Sequence, residues 1–308
     1  MAESSRRVAV VDIGSNSTRL LVADVGGGRV VPVERRSTVT RLGRGVDLSG
    51  RLAAEAIEAT CAAIDPYVAT LQELGAEEVD AIATSAVRDA ANGGAFVAEL
   101  RERFALSARV LDGEEEARLT YLGATSETSP EVPTLVVDIG GGSTELVVGE
   151  RGEIEWYVSL QAGVVRHTER HLLSDPPTPV ELEALAADLR GLIDAATAGA
   201  PRAEAGIAVA GTPTSLAAIE LELEPYDPRR VHGHALELPS IQRMLSRLAA
   251  APLAERTEIP GLHADRAPTI VAGVVTLVEV MRAFDLGWIT VSEHDILYGA
   301  AIALTDSS

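Results

Sequence analysis

The 308-residue sequence contains no lysine, so arginine supplies all 26 cationic side chains against 46 acidic ones, and the formal net charge is −20. The absence of lysine excludes a P-loop lysine, the strand lysine of protein kinases and Schiff-base chemistry. Cys61 is the only cysteine, which excludes a disulfide framework, a cysteine-based zinc site and iron–sulfur ligation. Aromatic residues make up 3% of the chain, too few for base-stacking platforms on single-stranded nucleic acid.

Long hydrophobic runs and targeting segments are also absent. The longest apolar run, residues 269–278, ends before Glu279 and is much shorter than the roughly 18 residues of a membrane-spanning helix. The apolar stretch near the N-terminus is too short for a signal peptide. Bulk negative charge argues against sequence-independent binding of nucleic acid, although it allows a local arginine pocket for a smaller anion. We therefore expect a soluble, cytoplasmic protein with no nucleic-acid or membrane partner.

The pattern along the chain predicts an α/β protein of two lobes with a cleft between them. Hydrophobic residues account for 46% of the sequence, enough for sizeable cores, and strand-like segments alternate with helix-periodic ones in both halves. Residues 126–133 are polar and contain two prolines, so they mark the predicted boundary between domains 1–127 and 128–308. The closing helix, which begins at Ile296, is a candidate to pack back on the first domain.

The beginning of the chain is repeated 126 residues later. Residues 10–24 and 136–150 align without gaps and are identical at nine of fifteen positions. Each copy reads strand, Asp-Ile-Gly, two small residues, Ser-Thr and a second strand, followed by a glycine-bearing turn. A repeat of this length indicates two copies of one supersecondary unit rather than a solenoid.

Each repeated turn has the composition of a phosphate-binding loop. Small residues let the backbone approach a ligand closely, and successive N–H groups and hydroxyls form a concavity for phosphate oxygens. Asp12 and Asp138 end the first strands, where a carboxylate favours Mg²⁺ or a metal-bound water. Arg19 in the first copy corresponds to Glu145 in the second, so one offers a cation and the other a carboxylate. The structural alternative is a tight hairpin that merely requires glycine and serine.

Two further segments carry candidate chemistry. Arg88 follows a predicted strand at the start of a helical turn, where it could grip phosphate bidentately or pair with a neighbouring carboxylate. Three consecutive glutamates, Glu114, Glu115 and Glu116, open a helix, where acidic residues ordinarily complement the helix dipole. One that projects into an anion-rich cleft would have a raised pKa, as a general base for water requires. Position alone does not choose among the three.

The remaining candidates are weaker. Gly211 and Thr212 join a predicted strand to a helix and form a third corner suited to an anion. The six histidines have no acidic partner at the sequence spacing of a metal site, and we expect them on the surface or in loops.

Four motifs in this order resemble the exopolyphosphatase/guanosine pentaphosphate phosphohydrolase family. They are Asp-Ile-Gly-Ser-Asn-Ser-Thr from residue 12, Ala-Thr-Ser-Ala-Val-Arg-Asp-Ala from residue 83, Gly-Glu-Glu-Glu-Ala-Arg-Leu from residue 113 and Asp-Ile-Gly-Gly-Gly-Ser-Thr-Glu from residue 138. The resemblance covers essentially the whole chain. It implies duplicated ribonuclease-H-like lobes of the actin-like superfamily, and Mg²⁺- or Mn²⁺-dependent hydrolysis of a terminal phosphoanhydride. The implied substrates are inorganic polyphosphate or pppGpp, and the implied assembly is a homodimer.

The resemblance also implies residue roles. The glutamate that precedes Ala-Arg-Leu, here Glu116, is the implied catalytic base. Asp138 and Glu145 are the implied metal-associated carboxylates, and the strand-end Asp12 is a further metal candidate. The implied phosphate-binding positions are Ser15, Asn16, Ser17, Thr18, Arg19, Arg88, Gly141, Gly142, Ser143, Thr144, Gly211 and Thr212.

Two departures from the family pattern bear on the substrate. Leu297 stands where the family has an arginine, which puts one phosphate contact in question. The sequence ends at residue 308, where longer members continue into an HD-type C-terminal domain, so we expect a form without that domain and a preference for shorter polyphosphates.

We predict an exopolyphosphatase in which water attacks the phosphoanhydride without a covalent intermediate. One alternative is a pppGpp 5′-phosphohydrolase. An ATP-dependent kinase of the same superfamily is another, although the glutamate-rich helix suits water activation and no sugar-binding insert is apparent. The third is a non-hydrolysing sensor of polyphosphate or an alarmone, a reading that Leu297 motivates.

Overall fold

The structure, a computed structural model, describes residues 5–306. The chain divides into two compact units. Unit 1 contains the chain up to Thr128 and the segment from His294 onward, and unit 2 contains Ser129–Glu293. None of the helices within residues 5–306 is long and apolar enough to cross a bilayer.

Unit 1 is built around a five-stranded mixed sheet. Its elements are β1 (Arg6–Ile13), β2 (Ser17–Gly26), β3 (Arg29–Val39), α1 (Val46–Ser49), α2 (Ala54–Leu74), β4 (Glu78–Ala83), α3 (Ser85–Asp89), α4 (Gly93–Phe104), β5 (Ala108–Val110), α5 (Gly113–Ala124) and the last helix of the chain, α13 (Ile296–Asp306). The strand order is β3-β2-β1-β4-β5. β1 to β3 are antiparallel neighbours, whereas β4 and β5 run parallel to β1.

Unit 2 repeats this arrangement and adds one edge strand. Its elements are β6 (Thr134–Ile139), β7 (Thr144–Glu150), β8 (Glu153–Leu160), α6 (Val164–His171), α7 (Pro179–Thr197), β9 (Ala205–Val209), α8 (Gly211–Glu220), α9 (Pro228–Val231), β10 (Ala235–Glu237), α10 (Leu238–Ala250), α11 (Leu253–Arg256), a 3₁₀ turn (Ala264–Arg266), α12 (Ile270–Ala283) and β11 (Trp288–Val291). The strand order is β10-β11-β9-β6-β7-β8. Three antiparallel strands followed by parallel ones in both units confirm the predicted duplicated ribonuclease-H-like fold.

The duplication extends to an irregularity of the backbone. The β2–β3 ladder shifts register between Val22 and Ala23, and the β7–β8 ladder shifts between Val148 and Gly149. These two positions are related by the same 126-residue offset as the sequence repeat. A bulge bends its strand and increases the local twist, so both hairpins curve at the same place.

In unit 1, the alternation of side chains along β1 separates two apolar cores. Ala9, Val11 and Ile13 face the core formed with α2, α3 and α4. Val8 and Val10 face the opposite core, formed with α5 and α13. Both faces of the strand are therefore covered, which explains why it reads as a continuous apolar run rather than as an alternating pattern.

Glycines allow α5 and α13 to pack closely in unit 1. A Cβ added to Gly123 would lie 1.9 Å from the Asp295 carbonyl oxygen, and one added to Gly299 would lie 1.8 Å from the Leu119 carbonyl oxygen. Both contacts are with backbone, which cannot move aside as the end of a side chain can. Only glycine fits at either position.

We predict that Gly299→Ala destabilises the protein by roughly 1–3 kcal/mol or more, because the added methyl group overpacks the contact between α5 and α13. Gly94→Ala is the matched control, since a Cβ at Gly94 of α4 meets nothing within 4 Å. Urea unfolding of the two variants measures the difference. Equal midpoints would contradict the packing described here.

Candidate active site

In unit 1, the first repeated hairpin brings opposite charges together at the strand ends. Asp12 pairs with Arg19 across the β1–β2 ladder, so both side chains lie on one face of the sheet. Arg19 Nε donates to Asp12 Oδ2 at 2.8 Å, and Arg19 Nη1 also pairs with Asp295 Oδ2. Asp12 and Asp295 are both almost fully buried. The predicted phosphate-binding arginine is therefore held between two carboxylates.

The two carboxyl groups beside Arg19 differ in pKa. Burial raises the pKa of Asp12 above its ordinary value, because it outweighs the charge of Arg19. Burial opposes ionisation of Asp295 as well, but Arg19, Arg35 and a backbone hydrogen bond from Leu297 together lower the pKa of that carboxyl. Asp295 Oδ1 accepts from the Leu297 N–H at 3.0 Å, so this carboxylate also caps the first turn of α13.

The turn after β1 is fixed by its own polar groups. The Gly14 N–H donates to the Ser17 carbonyl oxygen at 3.1 Å and closes the turn. Ser15 Oγ lies 2.8 Å from Ser85 Oγ and accepts from the Ala86 N–H at 3.1 Å. The turn is thus joined to α3, the helix that carries Arg88.

Three polar atoms at this turn are buried and have no hydrogen-bond partner among the described residues. They are Asp12 Oδ1, Asn16 Nδ2 and Ser17 Oγ. Leaving a buried polar atom unpaired is costly, so such atoms are suited to binding a ligand or an ordered water. A donor amide, a hydroxyl and a carboxylate oxygen together suit a phosphate group with an associated cation.

The structure distinguishes the three consecutive glutamates. Glu114 is exposed, and Glu115 pairs with Arg109. Only Glu116 is buried, with 7% of its surface exposed. Its Oε2 accepts from Arg88 Nη1 at 2.9 Å, and the same nitrogen donates to the Leu111 carbonyl oxygen at 2.8 Å. The pairing of Arg88 with a carboxylate, one of the two interpretations of its sequence context, is therefore present.

The pKa of Glu116 is raised to about 7, mainly by burial, and the nearby carboxylates of Asp12 and Asp89 act in the same direction. The hydrogen bond and the positive charge of Arg88 act in the opposite direction. A carboxyl group with a pKa near neutrality can accept a proton from water and still be ionised at physiological pH. Glu116 thus has the properties required of a general base.

In unit 2, the second hairpin places two carboxylates side by side. Asp138 pairs with Glu145 across the β6–β7 ladder, at the positions equivalent to Asp12 and Arg19. Both are buried, and Glu145 Oε1 accepts from Ser159 Oγ at 2.8 Å. Two buried carboxylates on adjacent strands repel each other, and a hard divalent cation relieves that repulsion. The donor set fits Mg²⁺ or Mn²⁺, the predicted cofactors.

The turn between β6 and β7 is supported by the start of α6. Gly140 donates to the Ser143 carbonyl oxygen at 3.0 Å, as in the equivalent turn of unit 1. Gly163 N–H donates to the Gly142 carbonyl oxygen at 3.2 Å, and a Cβ on Gly163 would lie 2.3 Å from the backbone of Gly141. The predicted phosphate loop is therefore shaped by direct contact with the beginning of a helix.

The third predicted corner lies beside this turn. β9 runs parallel to β6, with Val209 paired to Asp138, so the carboxyl ends of both strands share one edge of the sheet. Ala210 has φ 71° and ψ −169°, a strained backbone for a residue with a Cβ. A Cβ on Gly211 would lie 2.6 Å from the guanidinium carbon of Arg266. Thr212 follows in the first turn of α8 and is buried.

Two of the predicted phosphate-binding threonines are fully buried. The hydroxyls of Thr18 and Thr40 lie 3.1 Å apart, and Thr144 Oγ1 donates to the Ala162 carbonyl oxygen at 2.7 Å. These hydroxyls fix the hairpins, and phosphate binding at the two positions stays a prediction. Leu297, which replaces the family arginine, is fully buried in the apolar core between β1, β2, α5 and α13.

The expectation that all six histidines lie on the surface or in loops is wrong for His167. This residue lies in α6 and is fully buried. Its nearest acidic group, Asp188, comes from α7. The spacing of His167 and His171 was visible in the sequence, but their carboxylate partner lies 17 residues beyond His171 and could not be found from local spacing.

Comparisons with known proteins give the class to which this fold belongs, a phosphatase. A sequence profile of the Ppx/GppA phosphatase family matches residues 21–301. Exopolyphosphatase 2 of Mycobacterium tuberculosis is 38% identical over 314 residues, which cover 97% of this chain and 98% of the relative. The chain belongs to the Ppx/GppA phosphatase family, as the motifs predicted, and it is a hydrolase.

Solved structures agree with this assignment. The crystal structure of the Aquifex aeolicus member of the Ppx/GppA family has a TM-score of 0.84 and 31% identity, with 98% of both chains covered. The crystal structure of an exopolyphosphatase-like protein has a TM-score of 0.93 and 34% identity, also over 98% of both chains.

We predict that Glu116 titrates with a midpoint near pH 7, and that Arg88→Gln moves this midpoint upward because Arg88 favours the charged carboxylate. Carbon-13 NMR of glutamate-labelled protein measures the titration, and Glu116→Gln identifies the signal. Arg109→Gln is the matched control, since Arg109 pairs with Asp80 and Glu115 instead. A midpoint near that of exposed glutamates would show that Glu116 is not desolvated.

Proposed function

We propose that the protein is an exopolyphosphatase, which releases orthophosphate from the end of inorganic polyphosphate by attack of water. The observation that carries this proposal is the buried carboxyl of Glu116, which lies beside Arg88 and has a pKa raised to about 7. The similarity to a relative named exopolyphosphatase, at 38% identity over nearly the full length of both chains, supports the choice of substrate.

Glu116 is proposed to orient the attacking water and accept its proton. Phosphoryl transfer depends mainly on positioning and on stabilisation of charge, so a single base and a set of phosphate ligands suffice. No covalent nucleophile is needed. Arg88, which already lies at Glu116, is proposed to bind a phosphate oxygen of the substrate through its planar array of donors.

The two repeated turns are proposed to bind phosphate oxygens through backbone N–H groups and hydroxyls. In unit 1 the unpaired Asn16 Nδ2 and Ser17 Oγ are the side-chain donors. In unit 2 the equivalent positions are Gly142 and Ser143, so the backbone contributes more there. Backbone N–H groups bind every unit of a polyphosphate chain alike, which suits a substrate that is shortened one phosphate at a time.

Asp138 and Glu145 are proposed to hold Mg²⁺. The bound ion would supply positive charge to the phosphoryl oxygens. Ser159 keeps Glu145 oriented through its 2.8 Å hydrogen bond, and the β6–β7 ladder fixes the separation of the two carboxylates. The equivalent pair in unit 1, Asp12 and Arg19, is a salt bridge, so the pair of acidic residues occurs in only one of the two hairpins.

Glu116→Gln is expected to lower phosphate release from polyphosphate by roughly 10²–10⁴-fold, the usual contribution of a general base. Binding of polyphosphate should persist, because the amide is isosteric with the carboxyl and can still accept from Arg88. Malachite-green detection of phosphate measures the rate, and a filter-binding assay measures affinity. Glu114→Gln, at an exposed position of the same helix, is the control and should retain the wild-type rate.

The same assay compares the wild-type protein on short polyphosphate, long polyphosphate, pppGpp and ATP in the presence of Mg²⁺. Fastest release from polyphosphate is the expected result. A preference for pppGpp would replace the proposed substrate, and binding of polyphosphate without turnover would identify a sensor instead.

Asp138→Asn is expected to raise the Mg²⁺ concentration for half-maximal activity by at least about 10-fold, since loss of one carboxylate weakens a site for a hard cation. Mg²⁺ titration of the phosphate-release rate provides the measurement. Glu155→Gln is the matched control, because Glu155 is an exposed carboxylate on the neighbouring strand β8. An unchanged Mg²⁺ dependence in Asp138→Asn would place the metal elsewhere.

A further inference from the structure

A cluster of metal-binding side chains lies in unit 2 on the facing surfaces of α6 and α7. His167 and His171 occupy successive turns of α6, and Asp188 projects from α7. One ligand atom from each of these residues lies within 4.8 Å of the other two. None of the three takes part in the proposed hydrolysis.

The distances between the ligand atoms of these side chains are close to those in a tetrahedral metal site. Asp188 Oδ2 lies 2.8 Å from His171 Nε2 and 3.6 Å from His167 Nε2. Tetrahedral coordination with ligand bonds of about 2.0–2.1 Å places neighbouring donor atoms about 3.3 Å apart. The two distances to Asp188 lie on both sides of that value, and the ligand atoms of the two histidines lie within 4.8 Å of each other.

His167 is prepared for ligation by its surroundings. The residue is fully buried, and its Nε2 has no hydrogen-bond partner among residues 5–306. Its Nδ1 lies 3.3 Å from the Gly163 carbonyl oxygen, which can only accept a hydrogen bond, so the tautomer with Nδ1–H and a lone pair on Nε2 is favoured. Burial lowers the pKa of His167, and the neutral imidazole is the form that binds metals.

The other two ligands leave a path from solvent. The side chains of His171 and Asp188 are 19% and 36% exposed, whereas His167 closes the inner side of the cluster. The two imidazole rings are stacked at an angle of 26° with centroids 5.9 Å apart. Three protein ligands and an open outer position allow a water molecule to complete four-coordination.

We propose that His167, His171 and Asp188 form a binding site for a divalent transition metal ion of the Zn²⁺ type. Two imidazoles and one carboxylate suit Zn²⁺, Co²⁺ or Ni²⁺, whereas Mg²⁺ prefers oxygen ligands alone. The site is separate from the carboxylate pair of Asp138 and Glu145, and it does not depend on the proposed hydrolysis.

The ion would join α6 to α7 and so restrain the turn between β6 and β7, which contacts the start of α6. The first residues of α6 hold that turn, since Val164 N–H and Val165 N–H donate to the carbonyl oxygens of Gly140 and Gly141, both at 2.9 Å. Fixing α6 against α7 restrains the helix whose beginning shapes the turn. The expected consequence is a more stable unit 2 when the site is loaded.

Isothermal titration of the full chain with Zn²⁺, in excess Mg²⁺ to saturate sites of hard ligands, tests the proposal. One equivalent is expected to bind, and the melting temperature should rise by several degrees and return on addition of EDTA. His171→Gln and Asp188→Asn should each weaken Zn²⁺ binding on the order of 100-fold, because each removes one of three protein ligands. His263→Gln, at an exposed histidine, is the control and should bind as the wild type does.

Co²⁺ provides a second measurement, because a cluster that binds no metal would give no absorption spectrum of bound Co²⁺. Its visible absorption distinguishes four-coordinate from six-coordinate sites, and the wild-type protein should show the four-coordinate spectrum that His171→Gln lacks. Absence of Zn²⁺ binding by the folded wild-type protein would overturn the proposal and leave a metal-free hydrogen-bonded cluster. Undiminished binding in both His171→Gln and Asp188→Asn would overturn it equally.

Discussion

Burial of charge at the ends of two equivalent strands is the constraint on which the site depends. Asp12 and Asp138 are both shielded from water, and an ionised carboxylate in that position needs a positive partner. In unit 1 the chain supplies Arg19 directly across the ladder. In unit 2 the same position carries Glu145, a second carboxylate, and a metal ion is the proposed source of positive charge there. The two hairpins have the same strand register at this position but opposite charge.

The arginine side of this arrangement connects distant parts of unit 1. Arg19 is held by Asp295, which also caps α13. Helix α13 in turn packs against α5 at Gly299 and Gly123. Helix α5 carries Glu116. Arg19, near the start of β2, is therefore connected, through two helices in close contact, to the proposed base. Leu297 fits this arrangement, because an apolar side chain there completes the core beneath α13.

Patterns within the sequence predicted the parts that depend on local geometry. The internal repeat was enough to predict the two hairpins, and the structure shows the same register and the same bulge in both. Helix position alone left the three glutamates open, the family resemblance implied Glu116, and its burial distinguishes it in the structure. The partners of Arg19 and His167 could not be predicted either, because Asp295 and Asp188 approach them only after folding. Long-range pairing of charges leaves no periodic signal in a single sequence.

In the proposed mechanism, Arg88 would link substrate binding to the strength of the proposed base. In the structure its guanidinium favours the ionised form of Glu116 and so partly offsets the effect of burial. A phosphate group that attracts Arg88 weakens this stabilisation, and the proton affinity of Glu116 then rises. The ionised Glu116 would then be a stronger base with a phosphate bound than without one. Under the proposed function, the same ion pair that makes the burial of Glu116 tolerable would direct its basicity toward the bound substrate.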